Sequence, residues 1–358
     1  MAASVTIPKM MKALVKKKEE ASYTHEEVPV PEPKAGEALL RVDCVAICGS
    51  DIALYKWDDV ARVIATVPFI PGHECAGTVV KCGPGVKGVA VGDRVGVENH
   101  FYCGNCYQCK HENGAICSNM GQFGHGRKTE SGGCSEYTTV PAQYLYVIKS
   151  GLDAEEIALL EPLGVAHNAI ERLEVKGQDV LVTGCGPVGI LAQSVAKALG
   201  AKRVIATDIE DKKLELAKTM GADITVNTKN QDLKEFVMKL TDGVGMDRIC
   251  ECTGVPPVVN STFSMLRKGG HLCLVGLPKQ PLHVENVLQD VLFKALTMRT
   301  VHGRLIFHTW EEIEKLVSQK KVDVKKVVSH RIPMSQFEEA FRVLFSGEAC
   351  KILLDPTK

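Results

Sequence analysis

The sequence predicts an α/β chain in which a β-rich domain is joined to a doubly wound parallel-sheet domain, on three observations. Short apolar runs between glycine and proline punctuation fill roughly the first 150 residues. Strand-like and helix-like runs then alternate from Val180 onward. A glycine-rich turn, Gly184-Cys-Gly-Pro-Val-Gly189, lies at the first of those strand-to-helix junctions.

The chain has 358 residues, more than one ordinary core holds, so two domains are expected. The β-rich domain is placed at 1–152, with a cysteine lobe at 100–118. The parallel-sheet domain is placed at 153–301, and 302–358 return to the first domain. In the β-rich part, Ala38-Leu-Leu-Arg-Val-Asp-Cys-Val45 and Cys75-Ala-Gly-Thr-Val-Val80 read as strands between turns such as Val67-Pro-Phe-Ile-Pro-Gly72. Asp153–Leu173 has helical periodicity. Strands follow at 180–183, 203–207, 224–226, 247–252, 271–275 and 297–301. Helices fall near 187–199, 210–220, 231–240, 256–267 and 286–295. Alternation of this kind builds βαβ units and a sheet covered on both faces. The strand-like Lys351-Ile-Leu-Leu354 closes the chain.

Forty-three basic and forty-three acidic residues balance, which removes the electrostatic case for a nucleic-acid partner or an acidic membrane surface. No apolar run approaches the ~20 residues that span a bilayer. Met1–Met11 has no apolar core of a secretory signal, so the cytoplasm is the expected setting. Fourteen cysteines are many, but four crowd between Cys103 and Cys117, a clustering that points to metal rather than disulfides.

Gly184, Gly186 and Gly189 form a G-x-G-x-x-G signature, with Pro187 and Val188 between the last two. A tight turn, close approach of backbone to a pyrophosphate, and helix-to-sheet packing each call for glycine. The helix start then offers free N–H groups to phosphate oxygens. Asp208 ends the next strand, where a carboxylate accepts from a ribose 2′-hydroxyl and repels a 2′-phosphate. The signature therefore predicts a Rossmann domain and favours NAD over NADP, with Lys213 close enough to blunt the preference.

Cys103-x₂-Cys106-x₂-Cys109-x₇-Cys117 supplies four thiolates in one loop, the donor set of a closed, structural tetrahedral zinc. A second metal set is spread out. Cys48 follows one strand-like run, His73 and Glu74 precede another, and Glu161 lies on or before a helix. A catalytic zinc wants about three protein ligands and one open position. Cysteine, histidine and one carboxylate, Glu74 or Glu161, meet that need. Two zinc ions per chain and NAD are thus the expected cofactors.

Gly72-His-Glu74, Gly92-Asp-Arg94-Val95, the four-cysteine lobe and the glycine signature together resemble the zinc-containing medium-chain dehydrogenase/reductase family over essentially the whole chain. Ile47-Cys-Gly-Ser-Asp51 running on to Tyr55-x-Trp57-Asp58-Asp59, and His302-Gly-Arg-x-x-Phe-x-Thr-Trp310, are more specific than anything shared with its sorbitol or butanediol members. The resemblance implies a GroES-like N-terminal domain, a small-molecule alcohol substrate, zinc held by Cys48, His73 and a carboxylate, and a homotetramer. It places His100 at the substrate pocket.

Three departures stand out. Ala53 occupies a position where the family often has a proton-passing histidine, His167 is displaced by one position, and the loop Gln122–Gly132 is long and would border the substrate. The expected chemistry is oxidation of a secondary alcohol, with Ser50 as first acceptor of its proton. Arg304 is a candidate contact for a substrate carboxylate or for the cofactor pyrophosphate. A polyol, butanediol or sugar-acid dehydrogenase, and a catalytically silent NAD-binding scaffold, are the alternatives.

Overall fold

The computed structural model describes residues 6–278 and 280–358, so part of Met1–Met11 lies outside the described residues. The chain divides into two compact units. One comprises Met1–Glu161, Leu305–Glu314 and Val328–Lys358, the other Pro162–Arg304 and Lys315–Val327.

The second unit is built on six parallel strands, β1 (Asp179–Thr183), β2 (Arg203–Asp208), β3 (Ile224–Asn227), β4 (Met246–Glu251), β5 (Leu266–Leu274) and β6 (Thr297–Thr300). Their order across the sheet is 3-2-1-4-5-6, with the reversal of direction beside β1. That is the dinucleotide-fold order, in which ligands lie beyond the carboxyl ends of the strands at the reversal. β1 is buried at every residue, as its unbroken apolar run requires when helices cover both faces. Leu181, Ile205, Ile249 and Leu272 sit side by side and form one core with Val237 and Phe263.

Helices Pro187–Ala198, Asp211–Thr219, Leu233–Leu240 and Pro256–Met265 follow the expected spans. The helix expected near 286–295 is reduced to a single π-turn, Leu288–Leu292. Leu288, Leu292 and Phe293 stay exposed, so the segment lacks the buried face that stabilises a short helix.

The first unit holds a seven-stranded sheet. Its path runs Val328–Pro333, Lys351–Asp355, Glu37–Ala46, Glu74–Cys82, Arg94–Val97, Leu145–Val147, with Tyr137–Pro141 also paired to Glu37–Ala46. Leu40, Val42, Val45, Leu54, Phe69 and Phe123 are central to its core. Gly96 has no room for a side chain, because a Cβ there would lie 2.5 Å from the indole of the buried Trp310. Among the described residues, no helix is long and apolar enough to cross a membrane.

Leu181 is wholly buried in the middle of the parallel sheet. Leu181→Ala is expected to cost about 2–5 kcal/mol of unfolding free energy, measured by denaturant titration.

Candidate metal and dinucleotide sites

Strand register assembles the metal set. Glu37–Ala46 and Glu74–Cys82 run antiparallel with Ala46 opposite Glu74, so Cys48 emerges beside Gly72 and His73 despite the separation in sequence. Gly72 adopts φ +89°, and a Cβ there would lie 2.5 Å from Cys134 Sγ. The turn that presents His73 therefore needs glycine. Cys48 Sγ, a His73 ring nitrogen and a Glu74 carboxylate oxygen all lie within 4.8 Å of one another. Glu161 stands outside this group, with its Oε1 accepting from Asn99 Nδ2 at 3.0 Å.

The surroundings suit a cation. Asp51, on the helix Gly49–Lys56, accepts from the Cys48 N–H at 2.8 Å through Oδ2. Its Oδ1 lies 3.6 Å from His73 Nδ1, an electrostatic contact rather than a hydrogen bond. Burial disfavours charge on His73, but Asp51 outweighs it and holds the imidazole well above its usual basicity. A carboxylate behind a ligating histidine has this effect.

Glu74 has no solvent exposure, and Lys351 Nζ donates to both its oxygens, at 2.9 and 2.8 Å, and to Ile47 O. Lys351 arrives by the same register logic, since Leu353 pairs with Ala46. Burial opposes the charge on Lys351, yet Glu74 and Cys48 raise it above its usual range. Burial and the nearby Glu161 leave Glu74 above an ordinary carboxylate despite Lys351. One lysine thus faces two carboxylates and a thiol, a donor set that a divalent cation fits.

Ser50 follows Cys48 by two residues, and its Oγ lies 3.4 Å from His125 Nε2. His125 is buried on the loop Gln122–Gly132, with its ring 4.4 Å from that of His73. Burial, with His73 second, pushes its pKa down to about 3. His100 Nδ1 lies 2.9 Å from Oε1 of the wholly buried Glu98, whose Oε2 accepts from Trp310 Nε1 at 2.8 Å. Ala53 is buried and brings no polar group. Sequence reasoning missed Asp51, Glu98, His125 and Lys351. A lysine opening an apolar strand and a histidine between two glycines were the available signals.

The cysteine lobe brings its four thiols together. Cys106 Sγ lies 3.5 Å from Cys109 Sγ and 3.8 Å from Cys117 Sγ. Zinc–sulfur bonds of ~2.3 Å in a tetrahedron set sulfurs about 3.8 Å apart, which these separations match. The backbone N–H of Cys109 holds the Cys106 thiol down at about 5, favouring the thiolate. The N–H groups of Cys103 and Asn119 also point at Cys117 Sγ, both at 3.3 Å. All fourteen cysteines are free of disulfides.

The glycine signature sits between β1 and the helix Pro187–Ala198. A Cβ on Gly189 would lie 2.0 Å from Gly184 O, whereas one on Gly186 would meet nothing within 4 Å. Gly189 is thus required for packing, while the space over Gly186 is open to a phosphate. Pro187 and Val188 form the helix start. Asp208 ends β2, accepting from the N–H groups of Cys185, Ile209 and Glu210 at 2.8, 2.8 and 3.0 Å, which fixes the carboxylate beside the loop. Lys213 lies on the next helix, Asp211–Thr219. Arg304 is wholly buried in the second unit, and His167 is buried with Nδ1 4.0 Å from Glu171 Oε2.

This fold and these sites have counterparts. Residues 187–319 match the zinc-binding dehydrogenase family, and residues 34–150 match the alcohol dehydrogenase GroES-like domain. The chain belongs to the zinc-binding alcohol dehydrogenase family, and it pairs a GroES-like domain with a Rossmann-type parallel sheet.

It is 36% identical over 347 residues to L-threonine 3-dehydrogenase of Bacillus subtilis strain 168, covering 97% of this chain and 99% of that one. It is 36% identical over 346 residues to the Pyrococcus furiosus protein of the same name, covering 96% and 98%. Among solved structures, it is similar to an Escherichia coli CFT073 protein described as a short chain alcohol dehydrogenase and complexed with NADH. The TM-score is 0.88 at 26% identity, covering 97% of this chain and 100% of that one. It also resembles 2R,3R-butanediol dehydrogenase from Bacillus subtilis, with TM-score 0.87 at 28% identity, covering 97% and 99%.

Lys351→Met leaves Glu74 buried without its cation, so a loss of about 3–5 kcal/mol in unfolding free energy is expected by denaturant titration. An unchanged midpoint would mean that the pair does not stabilise the unit.

Proposed function

We propose that the chain is a zinc-dependent, NAD-linked dehydrogenase that oxidises a secondary alcohol, with L-threonine as substrate and 2-amino-3-ketobutyrate as product. The observation that carries the enzymatic reading is the convergence of Cys48, His73 and Glu74 within 4.8 Å, a thiol, an imidazole and a carboxylate within reach of one ion. The threonine assignment is supported by relatives of that name, about a third identical along nearly the whole chain.

A zinc ion held here would supply Lewis acidity toward an alcohol oxygen, and a nicotinamide held by the parallel-sheet unit would supply a hydride acceptor. Cys48, His73 and Glu74 would hold the metal in this reading, and Glu161 is a second carboxylate within electrostatic reach of Glu74. Asp51 orients His73 through Nδ1. Ser50 Oγ would take the proton that leaves the alcohol while giving up its own hydroxyl proton, in a relay that ends in solvent. His100 is the substrate-pocket histidine, and Glu98 accepts from its Nδ1. The N–H groups at the start of the helix Pro187–Ala198 bind the cofactor phosphates, and Asp208 accepts from the adenosine ribose. A second zinc in the cysteine lobe clips the 100–118 loop. A cytoplasmic homotetramer belongs to the same reading.

The test is NADH formation by the zinc-loaded protein with L-threonine, sorbitol, 2,3-butanediol and L-gulonate in parallel. L-Threonine is expected to give the highest kcat/KM. A preference for butanediol would move the substrate toward the Bacillus subtilis butanediol enzyme that this fold resembles. Ser50→Ala is expected to lower turnover about a hundredfold with zinc content intact. Asp208→Gly is expected to raise KM for NAD about tenfold and leave zinc content unchanged.

A further inference from the structure

The loop that carries His125 is held in place by glycines that cannot be exchanged. Gly124 and Gly126 adopt φ +74° and +70°. A Cβ on Gly124 would lie 2.3 Å from Gly72 O, and one on Gly126 would lie 2.3 Å from Thr66 O. The loop therefore threads against the turn that presents His73, with backbone touching backbone. The residue between the two glycines is delivered onto the metal ligand set.

That residue is an imidazole where packing alone would be served by an apolar ring. His125 is 5% exposed and lies against His73, with 33° between the ring planes. Its Nε2 lies 3.4 Å from Ser50 Oγ, and its Nδ1 is buried with no hydrogen-bond partner. A buried ring nitrogen without a partner is a cost that phenylalanine or leucine would avoid. The polar atom that is used meets the Ser50 hydroxyl.

Resting on the reading of Ser50 as acceptor of the alcohol proton, we propose that His125 is the positioning residue for Ser50. Its Nε2 accepts the Ser50 O–H hydrogen bond, which turns the lone pairs of Oγ away from the ring and toward the substrate hydroxyl. Position 53, one helical turn after Ser50, is alanine and cannot give the hydroxyl a partner. The imidazole comes instead from a loop 75 residues further on.

Two measurements on the zinc-loaded protein test this. The first is NMR of protein carrying ¹⁵N-labelled histidine, with the His125 resonances identified by their loss in His125→Gln. Ser50→Ala is expected to move the His125 Nε2 resonance, whereas Ser50→Thr, which keeps the hydroxyl, leaves it near its wild-type position. An Nε2 resonance indifferent to Ser50→Ala overturns the proposal.

The second is kinetic. His125→Phe is expected to lower kcat about tenfold to a hundredfold, with KM for NAD and zinc content unchanged, and His125→Gln to recover most of that loss. In a Ser50→Ala background, His125→Phe should cost nothing further. Two losses that multiply independently, or a loss of zinc in both His125 variants, overturn it. If the wild-type protein oxidises none of the alcohols, the enzymatic reading fails, and the NMR comparison still decides the Ser50–His125 contact.

Discussion

A carboxylate with no access to water must be neutralised from within, and the first unit is organised around that requirement. Glu74 lies at the head of a core strand, and Lys351 reaches it from the C-terminal strand on the far side of Glu37–Ala46. One strand register brings Cys48, His73, Glu74 and Lys351 together. A slip by one residue would turn alternate side chains to the other face and scatter all four. Glu161 lies close enough to Glu74 to act on it electrostatically, and Asp51 stands behind His73. The same register that buries the Glu74–Lys351 pair holds a thiol, an imidazole and a carboxylate within reach of one ion.

The two metal sets use cysteine in opposite ways. In the lobe, four thiols from one short loop converge, and backbone N–H groups point at Cys117 Sγ and hold the Cys106 thiol down. Four thiolates fill a tetrahedron, so such an ion has no position for substrate and acts as a clip. At the other set a single thiol, one imidazole and one carboxylate leave room for an exchangeable ligand. The dinucleotide site is backbone chemistry of another kind, in which one glycine is forced by packing and another leaves space for a phosphate.

Features encoded locally were legible in the sequence. The cysteine spacing, the glycine signature and Asp208 at the end of β2 each lie within a short stretch, and the periodicity of β1–β6 and the intervening helices was clear. Cys48 and His73 were readable because metal chemistry demanded partners for them. Lys351 and His125 were not, because their roles exist only through contacts made by distant segments; Lys351 follows Glu74 by 277 residues. Asp51 and Glu98 combine a partner two or three residues away with a distant one, His73 or Trp310. The choice between Glu74 and Glu161 depended on strand register in the same way. The segment 286–295 carried helical periodicity, yet Val291 alone of its apolar residues packs on the core while Leu288, Leu292 and Phe293 stay exposed, too little burial to hold a helix.

The central claim is that Cys48, His73 and Glu74 hold a metal ion of their own, apart from the cysteine lobe. Zinc per chain, determined by mass spectrometry on the purified protein and on Cys48→Ala/His73→Ala, tests it most directly. Two zinc ions are expected in the wild-type chain and one in the double variant. Equal zinc content in both proteins would contradict it.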